Sequence, residues 1–298
     1  MSTTHDVFII GAGVAGLTAA EEAVRKGLSV AVAEQLIFGG LVVNVNHLWP
    51  GVAGLPASGS DLAADMMTLV SNLGVITVFE QVASLRKEGD LLRVTCAESE
   101  HTARAVIVAS GARLRTLGIP GEVEFEHLGV SHCADCDAPM FEGQDVIVVG
   151  GGDSALQEAL VLSEFCSRVH LVHRGAGFSG RREFVERVAR SPKIIARMNT
   201  VVDSLHGEEQ LSGVQIRDVE TGAGELVPAS GFFAYVGLVP NTAFLPAKVK
   251  EESGLVVVDD RMESRMPGVF AIGAARAGYA GMLDHAIADA KRAVSALA

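Results

Sequence analysis

Residues 131–137 read SHCADCD, and they are the side chains in this chain best placed to do chemistry. Cys133 and Cys136 stand two residues apart, with His132 before them and Asp137 after. Three readings fit such a cluster. Thiolates and imidazoles ligate borderline metals. A Cys-x-x-Cys pair opens and closes by thiol–disulfide exchange, and a neighbouring carboxyl group can move the proton that a leaving thiolate needs. Cysteines are also small, nearly apolar residues that pack in cores. Four ligands crowded into residues 132–137 cannot readily close a tetrahedron, and no second Cys-x-x-Cys or His-x-x-x-His completes one, so no metal is expected. The remaining choice depends on what surrounds the motif.

Two glycine-rich turns carry the second kind of chemistry. DVFII (6–10), GAGVAG (11–16), LTAAEEAVRKG (17–27) and LSVAVAE (28–34) read as strand, turn, helix and strand. In such a unit Gly11 permits the tight turn, Gly13 lets the backbone approach a pyrophosphate, and Gly16 lets helix and strand pack closely. The phosphates then sit on the N–H groups at the positive end of the helix. Glu34 closes the second strand, 23 residues after Gly11, where an acid accepts hydrogen bonds from a ribose. The pattern recurs downstream as DVIVV (145–149), GGGDSA (150–155), LQEALVLSEFC (156–166) and SRVHLVHR (167–174). Gly150, Gly152 and Ala155 take the three key places, with Asp153 and Ser154 between the last two. This second strand ends in His173–Arg174 rather than in an acid, and Arg suits a 2′-phosphate that an acid would repel. The first turn therefore reads as an FAD or NAD site and the second as an NADP site. Two copies of one motif point to two α/β domains with parallel sheets.

Around these units lie a helix near 61–73, hairpin-like strands near 75–108, a β-rich stretch over 194–236, a strand at 254–260, and a terminal helix from about 281 to 297. The 298 residues suffice for one large or two medium cores. A net charge of −12 argues against nucleic acid or an anionic membrane as partner. Residues 7–20 have the length of a signal segment, but no Lys or Arg precedes them. Residues 35–60 lack charge, yet Asn, His, Trp and Pro interrupt them, so they read as a buried loop rather than a span, with Trp49 as loop packing. With four cysteines in all, a reducing cytoplasm is expected, where a Cys-x-x-Cys is catalytic or metal-binding rather than a staple. Cys96 and Cys166 are expected to be buried small residues.

The segment GVSHCADCDAPMFEGQDVIVVGGGDSALQEALVLS (129–163) strongly resembles the low-molecular-weight thioredoxin reductases, a family of FAD- and NAD(P)-dependent disulfide oxidoreductases. In that family an FAD domain is interrupted by an NADPH domain that carries the Cys-x-x-Cys. GAGVAG with Glu34 is similar to its FAD fingerprint. FGGLV (38–42), with Gly39 and Gly40, and WPG (49–51) resemble its flavin loop. VIVASGA (106–112), with Gly111, resembles its ATG motif, and YVGLVPNT (235–242) and PGVFAIG (267–273), with Gly273, resemble its return into the FAD domain. The resemblance implies two Rossmann-like domains, the second inserted in the first: residues 1–112 and 243–298 for FAD, and 113–242 for NADP(H), with NAD as the substitute. It implies that Cys136 faces the flavin, that Cys133 attacks a disulfide, and that Asp137 is the acid. Electrons would run from NAD(P)H through FAD and Cys133–Cys136 to a thioredoxin-like protein or small disulfide. A cytoplasmic homodimer is implied as well.

Three departures from the family stand out. Its C-terminal GD is here Gly273–Ala274, which points to looser FAD binding. Its HRR…R clamp is HRGAGFS, with Gly175 and Ser179 in place of two arginines, which bears on nucleotide preference. Its RQA-type helix start is GMLDHAIADAKRA (281–293). Two rivals follow: a dithiol oxidase or flavin reductase-like enzyme with another electron donor or acceptor, and a degenerate, non-catalytic subunit.

Overall fold

The computed structural model describes residues 4–45, 48 and 58–297. The chain forms two compact units, one of residues 1–113 and 239–298, the other of residues 114–238.

In the first unit β1 (Thr4–Ile10), α1 (Val14–Arg25) and β2 (Val30–Ala33) form a parallel βαβ unit, with Ile9 opposite Val32 on one side and Ile107 on the other. Then follow α2 (Gly59–Asn72), β3 (Ile76–Val78), β4 (Val82–Glu88), β5 (Leu91–Cys96) and β6 (Glu100–Val108). The sheet order is β3-β2-β1-β6-β5-β4, parallel through β6 and antiparallel beyond it. The inner strands are covered on both faces, which is why Val7–Ile10 is an unbroken apolar run. Ser58 caps α2 by accepting the Asp61 N–H at 3.1 Å, and its hydroxyl returns a bond to the Asp61 carboxylate.

The chain leaves through β7 (Ala112–Leu114) and builds the second unit from β8 (Val130–Ser131), α3 (Ala134–Asp137), β9 (Asp145–Val149), α4 (Asp153–Phe165), β10 (Arg168–Val172), α5 (Arg182–Arg190), β11 (Ile194–Arg197), β12 (Thr200–Gly207), β13 (Leu211–Asp218), β14 (Gly224–Pro228) and β15 (Gly231–Ala234). Here β11-β10-β9-β15-β8 is a parallel sheet, and β12-β13-β14 is an antiparallel meander. The chain re-enters the first unit through β16 (Leu238–Pro240), adds β17 (Val269–Ala271) beside β6, and ends in α6 (Leu283–Ser295). Alanines at 286, 290 and 293 of α6 and at 19, 20 and 23 of α1 belong to one buried cluster, and their small side chains let the helices lie close to each other and to the sheet.

The architecture is the expected α/β class. Three local expectations are corrected. No strand spans 254–260: Val256 and Val258 make only isolated bridges, and the Asp259 carboxylate ends the run by accepting the Arg261 and Glu263 N–H groups at 2.9 Å each. The helix α5 was not expected, although Phe184 and Val188, four residues apart, are its buried stripe. The stretch after Glu34 is not uniformly buried. Leu36 is 84% and Ile37 56% exposed, because the Glu34 carboxylate takes the Gln35 and Leu36 N–H groups and turns the chain outward. Trp49 and WPG lie outside the described residues. Cys96 and Cys166 are buried, and desolvation pushes each thiol up to about 11.

Gly16 is where helix and strand approach most closely. A Cβ there would stand 2.0 Å from the Gly11 carbonyl oxygen and 3.2 Å from Ala109 Cβ. We expect Gly16→Ala to destabilise the protein by about 1–3 kcal/mol, read as a lower urea midpoint. An unchanged midpoint would show that α1 can slide away from β1.

Candidate active site

The first glycine turn sits between the end of β1 and the start of α1. Gly11 has φ +103, and its N–H is held by Ala33 O at 2.8 Å. Gly13 is the N-cap of α1 and provides no side-chain cap, so the first N–H groups of the helix have no side chain in front of them. A Cβ on Gly13 would meet only Gly39 O, at 3.6 Å. Gly39 and Gly40 lie alongside, with the Gly39 N–H donating to Ala12 O at 2.7 Å. Such a cradle, open and lined by backbone donors, fits a pyrophosphate. Glu34 has its Oε2 on the Ala12 N–H at 2.9 Å, so this carboxylate also braces the turn itself. Gly111 has open space around it and its carbonyl takes the Asn241 N–H.

Gly273 begins a short 3-10 turn, Gly273–Ala275, near Ala15 of α1. Ala274 offers no carboxylate there. One arrives from α6 instead: Asp289 accepts the Gly273 N–H at 3.1 Å and grips Arg276 through two bonds, 2.7 and 2.8 Å. The pair is largely shielded from water, with side-chain exposures of 14% for Arg276 and 5% for Asp289. Sequence reasoning missed it, though the signal was present. Residues 286, 289, 290 and 293 form one helical stripe, and Asp289 is the only acid on it.

The second turn has the same construction. Gly150 has φ +148, and a Cβ there would stand 2.5 Å from Tyr235 O. Gly152 is the uncapped N-cap of α4 and has nothing within 4 Å of its missing Cβ. Ser154 is exposed and Ala155 wholly buried in the first turn of that helix. His173 lies over Gly151, its ring 5.6 Å from that of Phe178, and Arg174 is exposed. Asp153 does not simply face a ligand. Its two oxygens take Arg181 N–H and Nε at 2.6 and 2.7 Å, while the Ser179 and Gly180 N–H groups bind Gly151 O. Arg181 also lies 4.7 Å over the Phe184 ring, and Arg182 pairs with Glu186. Of the arginines near this turn, Arg174 is the one exposed beside His173 at the strand end.

Cys133 and Cys136 form a disulfide, with Cα atoms 5.3 Å apart. Cys133 is the N-cap of α3, and its Sγ accepts the Cys136 N–H at 3.1 Å. The Asp137 carboxylate is held by the Ser131 hydroxyl at 2.6 Å, and the same Ser131 oxygen accepts the Cys133 N–H at 3.2 Å. One serine thus ties the acid to the backbone of the cysteine. Beneath the pair, Ala134 N–H donates to Tyr235 Oη at 3.3 Å, and that hydroxyl donates to Glu158 Oε2 at 3.3 Å. Desolvation, aided by the charge of Asp135, pushes the Glu158 carboxyl up to about 7. Burial and then Glu158 raise Tyr235. Ser131, Glu158 and Tyr235 carried no signal in the sequence, since Tyr235 is 77 residues from its partner. Exposed Cys136 and His132, the latter paired with Glu126 at 3.0 Å, and half-buried Cys133 complete the surface of this site.

Residues 5–296 match the family model described as pyridine nucleotide-disulphide oxidoreductase. The thioredoxin reductase of Treponema pallidum (strain Nichols) is 38% identical over 279 residues, 93% of this chain and 91% of that protein. That of Listeria monocytogenes is 34% identical over 92% of this chain and 86% of its own. Among solved structures, the Lactococcus lactis thioredoxin reductase (FR conformation) superposes with a TM-score of 0.94 at 31% identity, covering 98% of this chain and 97% of that one. The T. acidophilum thioredoxin reductase does so at 0.92 and 31%, covering 99% and 97%.

Asp289→Ala would strand the Arg276 guanidinium without its counter-charge. We expect a loss of about 3–5 kcal/mol in denaturant unfolding, with much of it recovered in the Asp289→Ala, Arg276→Met double variant. Equal losses in the single and double variants would show that the pair itself is not what matters.

Proposed function

This chain belongs to the pyridine nucleotide-disulphide oxidoreductases and, within them, to the thioredoxin reductases, and we propose that it reduces the disulfide of a thioredoxin-like protein through Cys133 and Cys136. The observation that carries this reading is the cysteine pair itself. It is disulfide-bonded at the head of α3, with Asp137 held beside it by Ser131. FAD is assigned to residues 1–112 and 243–298, and NADP(H) to residues 113–242. Bound FAD would supply the two-electron relay between the nicotinamide and the disulfide.

Each residue has a role in this reading. Gly11, Gly13 and Gly16 give the FAD pyrophosphate its approach to α1, Glu34 takes a ribose hydroxyl with the lone pairs left after bracing the turn, and Gly39, Gly40, Gly111 and Gly273 line the remainder. Gly150, Gly152, Ser154 and Ala155 shape the NADP(H) turn, Asp153 holds the adjacent loop, and His173 and Arg174 meet the 2′-phosphate. With the pair reduced, the Cys133 thiolate attacks a partner sulfur, forming a mixed disulfide and releasing the other partner sulfur. Asp137 delivers the proton that sulfur needs. Cys136 then attacks Cys133 Sγ, re-forming the internal disulfide and freeing the second partner thiol. The reading also makes the protein a cytoplasmic homodimer. The buried, un-ionised thiols of Cys96 and Cys166 suit a reducing compartment.

Cys133→Ser and Cys136→Ser should each abolish turnover of a thioredoxin disulfide while leaving anaerobic bleaching of the flavin by NADPH. Full turnover in either single variant would sink the redox role. The nucleotide assignment has its own test. Arg174→Ala should raise the KM for NADPH on the order of ten- to a hundredfold, as expected for one lost charged hydrogen bond, and leave NADH nearly untouched. Equal losses for both nucleotides would show that Arg174 does not read the 2′-phosphate.

A further inference from the structure

Glu158 has no part in the exchange chemistry above, yet it is an ionisable group joined to the backbone beside the cysteines. Its Oε2 accepts the Tyr235 hydroxyl, and Tyr235 Oη accepts the N–H of Ala134, the residue directly after Cys133. The nearby backbone N–H groups of Ala134 and Asp135 also favour the ionised carboxylate. Ala134 is wholly buried and Tyr235 is 8% exposed, so this connection is shielded from water. The titratable groups that face Glu158 are Asp135, from α3, and Tyr235, from the end of β15. Neither carries a positive charge to stabilise the carboxylate. Among the described residues its donor is the neutral Tyr235 hydroxyl, which in turn accepts the Ala134 N–H in the first turn of the cysteine helix.

We propose that Glu158 is the proton store of the Cys133–Cys136 couple, taking up a proton when the pair is reduced and releasing it when the pair is reoxidised, with Tyr235 as its positioning residue. The proposal rests on the redox reading of the pair. Reduction breaks the Sγ–Sγ bond with the two electrons that the reductase delivers. One sulfur takes a proton and becomes a thiol, and the other remains a thiolate. That new charge lies one peptide unit from the atoms that hold Glu158, and two negative charges sharing a poorly solvated site disfavour each other. A solvent proton therefore moves to the carboxylate. In reoxidation the Sγ–Sγ bond re-forms and the two electrons pass to the partner disulfide; the pair's thiol proton reaches the first partner sulfur by way of Asp137, and the proton that Glu158 gives back to solvent balances the one that neutralises the second partner thiolate. A carboxyl with an ordinary pKa would be ionised throughout at neutral pH and would store nothing. Burial pushes this one up to about 7, where a single nearby charge can switch it.

The test is an equilibrium titration of the FAD-loaded full chain against glutathione redox buffers on both sides of neutral pH, with the pair's state read by gel shift after thiol trapping. The midpoint potential of the pair, corrected for the glutathione potential at each pH, should rise as pH falls, more steeply in wild-type protein than in Glu158→Gln by the equivalent of up to tenfold in the equilibrium constant per pH unit. Tyr235→Phe keeps the carboxyl and removes the phenol that favours its ionised form, so the steep region should move to higher pH. The same pH dependence in Glu158→Gln as in wild type would overturn the proposal while leaving the redox pair intact. If Glu158→Gln does not fold, an unmoved steep region in Tyr235→Phe overturns it. A pair that an excess of dithiothreitol cannot reduce in the folded chain would sink the redox reading and the proposal together.

Discussion

A helix that begins without a side-chain cap leaves its first N–H groups facing outward, and this chain does so twice. Both α1 and α4 start at a glycine that makes no capping bond. Each start is pressed against a strand end so tightly that a single methyl group at Gly11, Gly16 or Gly150 would collide with backbone. The positive ends of two helices are thereby fixed at the carboxyl ends of the parallel strands of two sheets, which is where a negatively charged cofactor group is best held. The rest of each unit serves that placement. The buried stretches of β1 (Val7–Ile10) and β9 (Val146–Val149) are apolar because both faces are covered, and alanines on α1 let the helix lie flat.

The acidic composition is used in a particular way. Many carboxylates in this protein serve as acceptors for backbone N–H groups rather than as partners for cations. Glu122, only 4% exposed, takes the Leu117 and Gly118 N–H groups, and Glu34 takes three. Glu80 and Asp218 do the same in exposed turns, and the bonds hold their carboxyls below the usual range. Loops are thus folded by local charge-assisted bonds that add negative charge without demanding a cation. Asp289 and Asp153 are different: each closes on one arginine, and each thereby fixes a segment beside a glycine turn.

How much of this was legible depended on distance along the chain. The two strand–turn–helix–strand units were readable because their signals are local: apolar runs, glycine spacing, and a polar residue at the strand end. The cysteine pair was readable for the same reason. The partners of those residues were not. Ser131 looks like any serine, Tyr235 meets Glu158 only after β15 is laid beside β9, and Asp153 meets Arg181 only after a loop folds back. The apolar run at 254–260 failed as a strand because pairing needs a neighbour in register, and a pattern of side chains cannot say whether one exists. The helix at 182–190 and the stripe holding Asp289 were within reach of periodicity and were passed over amid charge.

Cys96 and Cys166 give the protein a built-in chemical contrast. Only a thiolate alkylates readily, and these two thiols are both buried and held protonated at neutral pH. An electrophile applied to the folded protein therefore meets a single reactive locus, the pair opened at residues 133 and 136. The chain can be tagged, tethered or immobilised there, with its other sulfurs silent until it unfolds, so the same reagent also serves as a clock for global opening.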